Sequence, residues 1–139
     1  MGEIRSTIEL ENERDRGAFE SGHLEEHKIR SVEIEGVVDT GARTLALPQD
    51  VADQLGLPVQ REITVGYADD RRETRPVVGP INITVEGRTT VVDAIALPEG
   101  SEPLIGQIIL ERLDLVADCA GEHLTVSPDS PDLPFLPLR

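Results

Sequence analysis

One tyrosine, two phenylalanines and no tryptophan occur in the whole sequence, and this shortage constrains the fold more than any other property. Large aromatic side chains usually supply much of the buried area of a core. Here Val, Ile and Leu must fill the interior. The β-branched members of that set favour strands, and 12 glycines with 10 prolines provide frequent chain reversals. The expected fold class is therefore all-β, with one or two short helices. A length of 139 residues suits a single domain over residues 1–139.

Hydrophobic spacing divides the chain. In residues 4–10, Ile4, Ser6, Ile8 and Leu10 fall on one face of a strand. Residues 11–26 are polar and contain Gly17 and Gly22, so residues 10–27 read as a long turn or mobile loop. Residues 28–35 form a strand with Val32 and Ile34 on one face and Ile29 on the other. Gly36 reads as a tight turn, after which Val37 and Val38 run into Asp39-Thr40-Gly41. Pro48 opens a short helix that aligns Val51, Ala52 and Leu55 and ends at Gly56. Two strands, 63–67 and 77–85, flank a charged tip at 68–74, and 89–97 is a further strand. Leu104-Ile105-Gly106 then leads into a helix over 107–113, and 123–126 is a last short strand. Residues 127–139 hold Pro128, Pro131, Pro134 and Pro137 and form an extended tail.

Charge narrows the partners. Lys and Arg total 13 against 27 Asp and Glu, a formal charge of −14. Such a field repels phosphate backbones and anionic lipid, so neither nucleic acid nor membrane is an expected partner. Lys28 is the only lysine, a bias that a high-salt cytoplasm or an arginine-rich genome would each explain. The first twelve residues include Glu3, Glu9 and Glu11 and no apolar segment, so a secretory signal is not expected and a cytoplasmic location is. Cys119 is the sole cysteine. It offers neither a disulfide framework nor a thiolate cluster, and reads as a small buried thiol near a strand end.

The segment that carries chemistry is Val37-Val38-Asp39-Thr40-Gly41-Ala42. An apolar strand delivers a carboxylate to a loop that is walled by protein and wet at its tip. Gly41 allows close backbone approach and an unusual φ, and the Thr40 hydroxyl can donate and accept. Two such carboxylates face to face would share a proton, one acting as base on a water and the other as acid on a carbonyl. Read alone, the tripeptide also fits a strand ending in a solvated Asx turn. A second apolar–apolar–glycine segment, Leu104-Ile105-Gly106, echoes the first and is likewise followed by a short amphipathic helix.

These two segments, in the order strand, Asp-Thr-Gly, hairpin, apolar–apolar–glycine, helix, final strand, resemble the retropepsin-like aspartic proteases, particularly single-domain prokaryotic members. The resemblance covers roughly residues 29–126. It implies a closed acid-protease-like β-barrel that works as a homodimer, with a peptide or protein substrate and no cofactor. Asp39 would be the catalytic carboxylate. Thr40 would hydrogen-bond across the dimer axis, Gly41 would offer its backbone to peptide, and Ala42 would complete the loop. The hairpin over residues 63–85 would be a flap, with Tyr67, Ala68, Asp69 and Asp70 near its tip. Tyr67 either stacks over substrate or is a half-exposed strand tyrosine. Leu104, Ile105 and Gly106 would pack the catalytic loop or line a subsite. In the tail, Leu133, Phe135, Leu136 and Leu138 would supply a dimer strand. Two departures stand out. Related flaps often carry glycine where this tip reads Ala68-Asp69-Asp70-Arg71-Arg72. Arg43 and Gln107 occupy positions where viral members pair an acid with an arginine, so that ion pair cannot form here.

Two further readings compete. A catalytically idle dimeric peptide-binding module could share the fold, although binding alone gives no reason to juxtapose two carboxylates. His23-Leu24-Glu25-Glu26-His27 fits the H-x-x-E-H pattern of zinc peptidases. That chemistry needs a helix of several turns to put both imidazoles on one face, and the segment runs almost at once into a strand.

Overall fold

The computed structural model describes residues 3–138; Met1, Gly2 and Arg139 lie outside the described residues. Strand β1 (Arg5–Asn12) buries Ser6, Ile8, Leu10 and Asn12 on its inward face, as the alternation predicts. Strand β2 (Ser31–Val38) pairs antiparallel with β1 over its length, with Ile8 opposite Ile34. Strand β3 (Leu45–Pro48) is buried throughout. It is followed by a hairpin of β4 (Val59–Gly66) and the long β5 (Arg72–Val85). Strands β6 (Arg88–Leu97) and β7 (Leu104–Ile105) complete one sheet of order β1-β2-β7-β3-β6-β5-β4, in which β1 also pairs with β5. The pairings thus return from β5 to β1, and β4 extends outward from β5. Strands β8 (Leu115–Asp118) and β9 (His123–Val126) form a separate two-stranded sheet.

The expected all-β class with short helices is what the chain adopts. The helices are α1 (Glu13–Glu20), α2 (Gln49–Gln54) and α3 (Gln107–Leu113). Helix α1 corrects the reading of residues 10–27 as a loop. Its apolar content is too low to signal a helix, and it has no buried residue. Polar bonds hold it instead. The Asn12 side chain accepts from Asp15 N at 3.1 Å and donates to Leu55 O at 2.9 Å, which caps the helix and ties it to the end of α2. Arg30 grips the Asp15 carboxylate through two nitrogens at 2.8 and 3.0 Å, and this arginine hydrogen bond holds the Asp15 carboxyl below its ordinary pKa.

A single cluster of buried aliphatic residues includes Ile8, Leu10, Leu45, Leu47, Ile81, Ile83, Ile105 and Ile109, none of them aromatic. Fully burying a side chain of this size contributes roughly 1.5–3 kcal/mol. Two local expectations differ from the structure, and a third reading, of a zinc-binding helix at His23–His27, finds no support. Gly36 lies within β2 and makes no turn. A side chain there would meet Ile105 Cγ1 at 3.1 Å, so glycine serves close packing of β7 against β2. Cys119 is exposed in the turn between β8 and β9, because β8, which its short mixed sequence conceals, places the residue beyond the strand end. The segment His23 to His27 is a turn leading into a 3-10 turn at Glu26–Lys28, so its imidazoles do not share a helical face. Among the described residues no group of three or more His, Cys, Asp or Glu is arranged to hold a metal ion, and no helix is long and apolar enough to cross a membrane.

Candidate active site

Asp39 follows directly on the end of β2. Strand β7 lies between β2 and β3, parallel to the first and antiparallel to the second. Val37 and Val38 face Leu104 and Ile105, while Ala46 faces Leu104. The two apolar segments that echo each other in sequence are therefore side by side in space. Val37 N donates to Pro103 O at 2.9 Å, and Asp39 N donates to Ile105 O at 3.0 Å. The aspartate backbone is anchored before its loop begins.

The loop is a tight turn. Ala42 N donates to Asp39 O at 3.0 Å, and Gly41 N donates to the Asp39 carboxylate at 2.9 Å. Taken alone this is an Asx turn. What distinguishes it is its clamp on the far side. Gln107 N donates to Ala42 O at 2.8 Å, and Ile108 N donates to Arg43 O at 2.9 Å. The first turn of α3 thus uses backbone donors that have no partner within the helix to hold the loop. Main-chain bonds hold the loop here, while the Gln107 side chain turns to Glu111 at 3.2 Å. Gly106 makes this approach feasible, because a Cβ there would fall 2.2 Å from Thr44 O. Gly41 does not have the unusual φ expected of it. A Cβ there would stand 3.2 Å from the Asp39 carboxylate, a tight contact that would press on the reacting group.

Asp39 is half-buried, with Thr40 and Gly41 exposed beside it. The carboxylate opens onto a cleft of about 790 Å³. Gly41, Ala42 and Arg43 form one wall, and the β4 end of the hairpin, with Ile63, Val65, Tyr67 and Ala68, forms another. Leu104, Ile95 and Leu97 supply apolar lining. Of the residues singled out in sequence, Asp39, Gly41, Ala42, Tyr67, Ala68 and Leu104 meet in this cleft. Ile105 is fully buried beneath the loop, so Leu104 and Ile105 divide the roles of lining and packing. Thr40, Asp69, Asp70 and Gly106 are not part of the lining.

The cleft face of β6 escaped the sequence reading. Val92, Ala94 and Ala96 point into the core while Ile95 and Leu97, on the alternate face, line the cleft. Apolar residues on both faces of one strand are the signal that could have found it, because one set serves the core and the other needs a second customer. Ile63 and Val65, two residues apart on one face of β4, line the cleft from the hairpin side.

The hairpin tip is closed by Tyr67 N donating to Arg71 O at 2.9 Å and Asp70 N donating to Tyr67 O at 3.0 Å. Asp70 adopts φ 65, a left-handed conformation that aspartate tolerates better than most non-glycine residues. That is how the tip dispenses with glycine. Arg71 sits 4.6 Å above the Tyr67 ring and pairs with Asp69 at 2.7 Å. The Arg71 hydrogen bond holds the Asp69 carboxyl below its usual range.

No curated protein matches the chain. A family model described as aspartyl protease matches residues 26–109, a span that includes the Asp39 loop, the hairpin and β7 and ends within α3. That match, over more than half of the sequence, together with the loop and cleft it covers, makes the chain a member of the retropepsin-like aspartyl protease family.

Proposed function

We propose that the chain is an aspartic endopeptidase in which two copies pair about a two-fold axis, each contributing one Asp39 carboxylate. The observation that carries this reading is the half-buried Asp39 opening onto a mainly apolar cleft beneath a hairpin. Asp-Thr-Gly occurs once in the sequence, so a dyad needs a second chain and an isologous contact. Two carboxylates at close range cannot both ionise readily and would share a proton. The ionised one takes a proton from a water, which attacks the peptide carbonyl. The protonated one donates to the carbonyl oxygen, giving a neutral tetrahedral diol. Breakdown reverses the traffic: the C–N bond breaks as a proton reaches the departing amine. Thr40, exposed next to Asp39, would bond across the axis, and the β4–β5 hairpin would close over the peptide as a lid.

The test is Asp39→Asn, with a general protein substrate such as casein. An amide cannot act as base for the water, so cleavage should disappear while the circular dichroism spectrum and the sedimentation profile stay unchanged. Cleavage retained by the purified variant would remove the aspartic reading. Peptide binding with no turnover by the unmodified chain would instead favour the idle binding module.

A further inference from the structure

We infer that Arg43 is a specificity-determining residue that selects peptides carrying an acidic side chain close to the bond that is cut, an inference that rests on reading the Asp39 cleft as the substrate site. The chain has 27 acidic residues against 13 basic ones, and six of its 12 arginines have a carboxylate nearby. Arg5, Arg16, Arg30, Arg61, Arg71 and Arg75 each have a carboxylate within 4.0 Å. Arg88 and Arg112 donate to backbone carbonyls. Arg43 does neither among the described residues, although acidic partners are abundant. Arg14 and Arg72 share that status but lie off the cleft, on α1 and at the start of β5. Among the described residues Arg43 alone combines an unpaired guanidinium with a place in the cleft lining.

The rest of the lining sharpens the point. Asp39 is the reacting group, and Arg43 is the only other charged residue in the lining. Its neighbours are apolar or small, with Leu104, Ile63 and Ile95 among them. A mainly apolar wall with one cation is the arrangement that discriminates by charge at one position and by size elsewhere. The backbone of Arg43 is also fixed, since its carbonyl accepts from Ile108 N at 2.9 Å. A guanidinium on a held backbone offers a planar fork to a carboxylate. Arg43 follows directly on the turn closed by Ala42 N and Asp39 O. An extended peptide advances only ~3.3 Å per residue, so the acidic side chain should lie within about three residues of the scissile bond.

The experiment uses the full-length enzyme and synthetic decapeptides with a central Leu–Leu pair. Each carries a single Glu, Gln or Lys in turn at the three positions on either side. At low salt, one position should show kcat/KM for Glu roughly fivefold above Gln, the scale of a partly screened charge pair, with Lys poorer still. Arg43→Gln should bring the Glu-to-Lys ratio close to one, and Arg43→Glu should invert it. A ratio measured on one enzyme sample does not depend on how much of that sample is folded, so a destabilised variant still gives an answer. No preference at any position, or a preference that survives both substitutions, would overturn the inference; the second result would mean that Arg43 serves another partner, such as a carboxylate of a second copy. If Asp39→Asn cleaves the same peptides as fast as the unmodified chain, it is the protease reading that fails.

Discussion

At the scale of single residues, Gly106 shows how a position remote in sequence fixes the reacting group. A Cβ at this site would meet Thr44 O, N and C at 2.2, 2.6 and 2.7 Å, all of them backbone atoms that cannot swing aside. Gly106→Ala should therefore cost about 1–3 kcal/mol or more and loosen the clamp on Ala42 and Arg43. Gly17, inside α1, has nothing within 4 Å of its would-be Cβ, so Gly17→Ala should instead gain roughly 0.5–1 kcal/mol from helix propensity. Urea unfolding of both variants checks the pair; equal effects would mean that the Gly106 contact is not tight. Asp39 and its valines were legible in the sequence because the apolar run leads into Asp-Thr-Gly-Ala and is echoed by Leu104-Ile105-Gly106 ahead of a second short helix. The closeness of Gly41 to the Asp39 carboxylate was not, because a contact between near neighbours in a folded loop leaves no compositional trace.

At the scale of elements, the strands whose apolar residues alternate were legible, and so was α3, where Ile109, Leu110 and Leu113 are buried. Strand β3 was not, because its buried run Leu45–Pro48 is too short to show a period. Helix α1 was hidden because capping and ion pairs hold it, and pattern reading weighs only apolar spacing. The tail was legible as proline-rich, but not the turn and bends over 128–133 that replace the expected extended start, nor its anchor. Asp114 adopts φ 53 at the end of α3, and its carboxylate accepts from the Ser130 hydroxyl and from Phe135 N. Arg88, a buried side chain, adds bonds to Leu113 O, Asp114 O and Ser130 O. The Ser130 hydroxyl first, then the Phe135 N–H and the charge of Arg88, hold the Asp114 carboxyl below its ordinary 3.8. A carboxyl depressed on folding stabilises the docked tail above its ordinary pKa, and that contribution is lost as pH falls through the depressed value. The Phe135 amide resonance should therefore titrate with a midpoint below 3.8, and Asp114→Asn should abolish that titration. A midpoint at or above the ordinary value would mean that the anchor is absent in solution.

At the scale of the whole molecule, charge and assembly oppose each other. Each chain brings a formal −14 to the proposed pair, and the repulsion is screened over about 8 Å at physiological ionic strength. Dimerisation should tighten as salt rises, and specific activity should fall on dilution. The tail leaves its anchor with Leu133, Phe135, Leu136 and Leu138 all exposed, an apolar surface suited to an interchain strand. Truncation after Pro128 should weaken the dimer at a given salt. Sedimentation with activity measured in parallel decides this; a fully active species of 15.2 kDa, the mass of one chain, would refute the pairing. The insertion of β7 between β2 and β3 has a consequence in time as well as in space. Val37 and Val38 complete their pairing only with Leu104 and Ile105, and the loop is clamped only by Gln107 and Ile108. Contacts so distant along the chain form late and slow folding. A nascent chain emerging from the ribosome therefore carries its aspartate through the synthesis of the next 65 residues with no β7 behind it. On this account the polypeptide stays inert until β7 and the first turn of α3 have been made, which would protect the machinery that makes it.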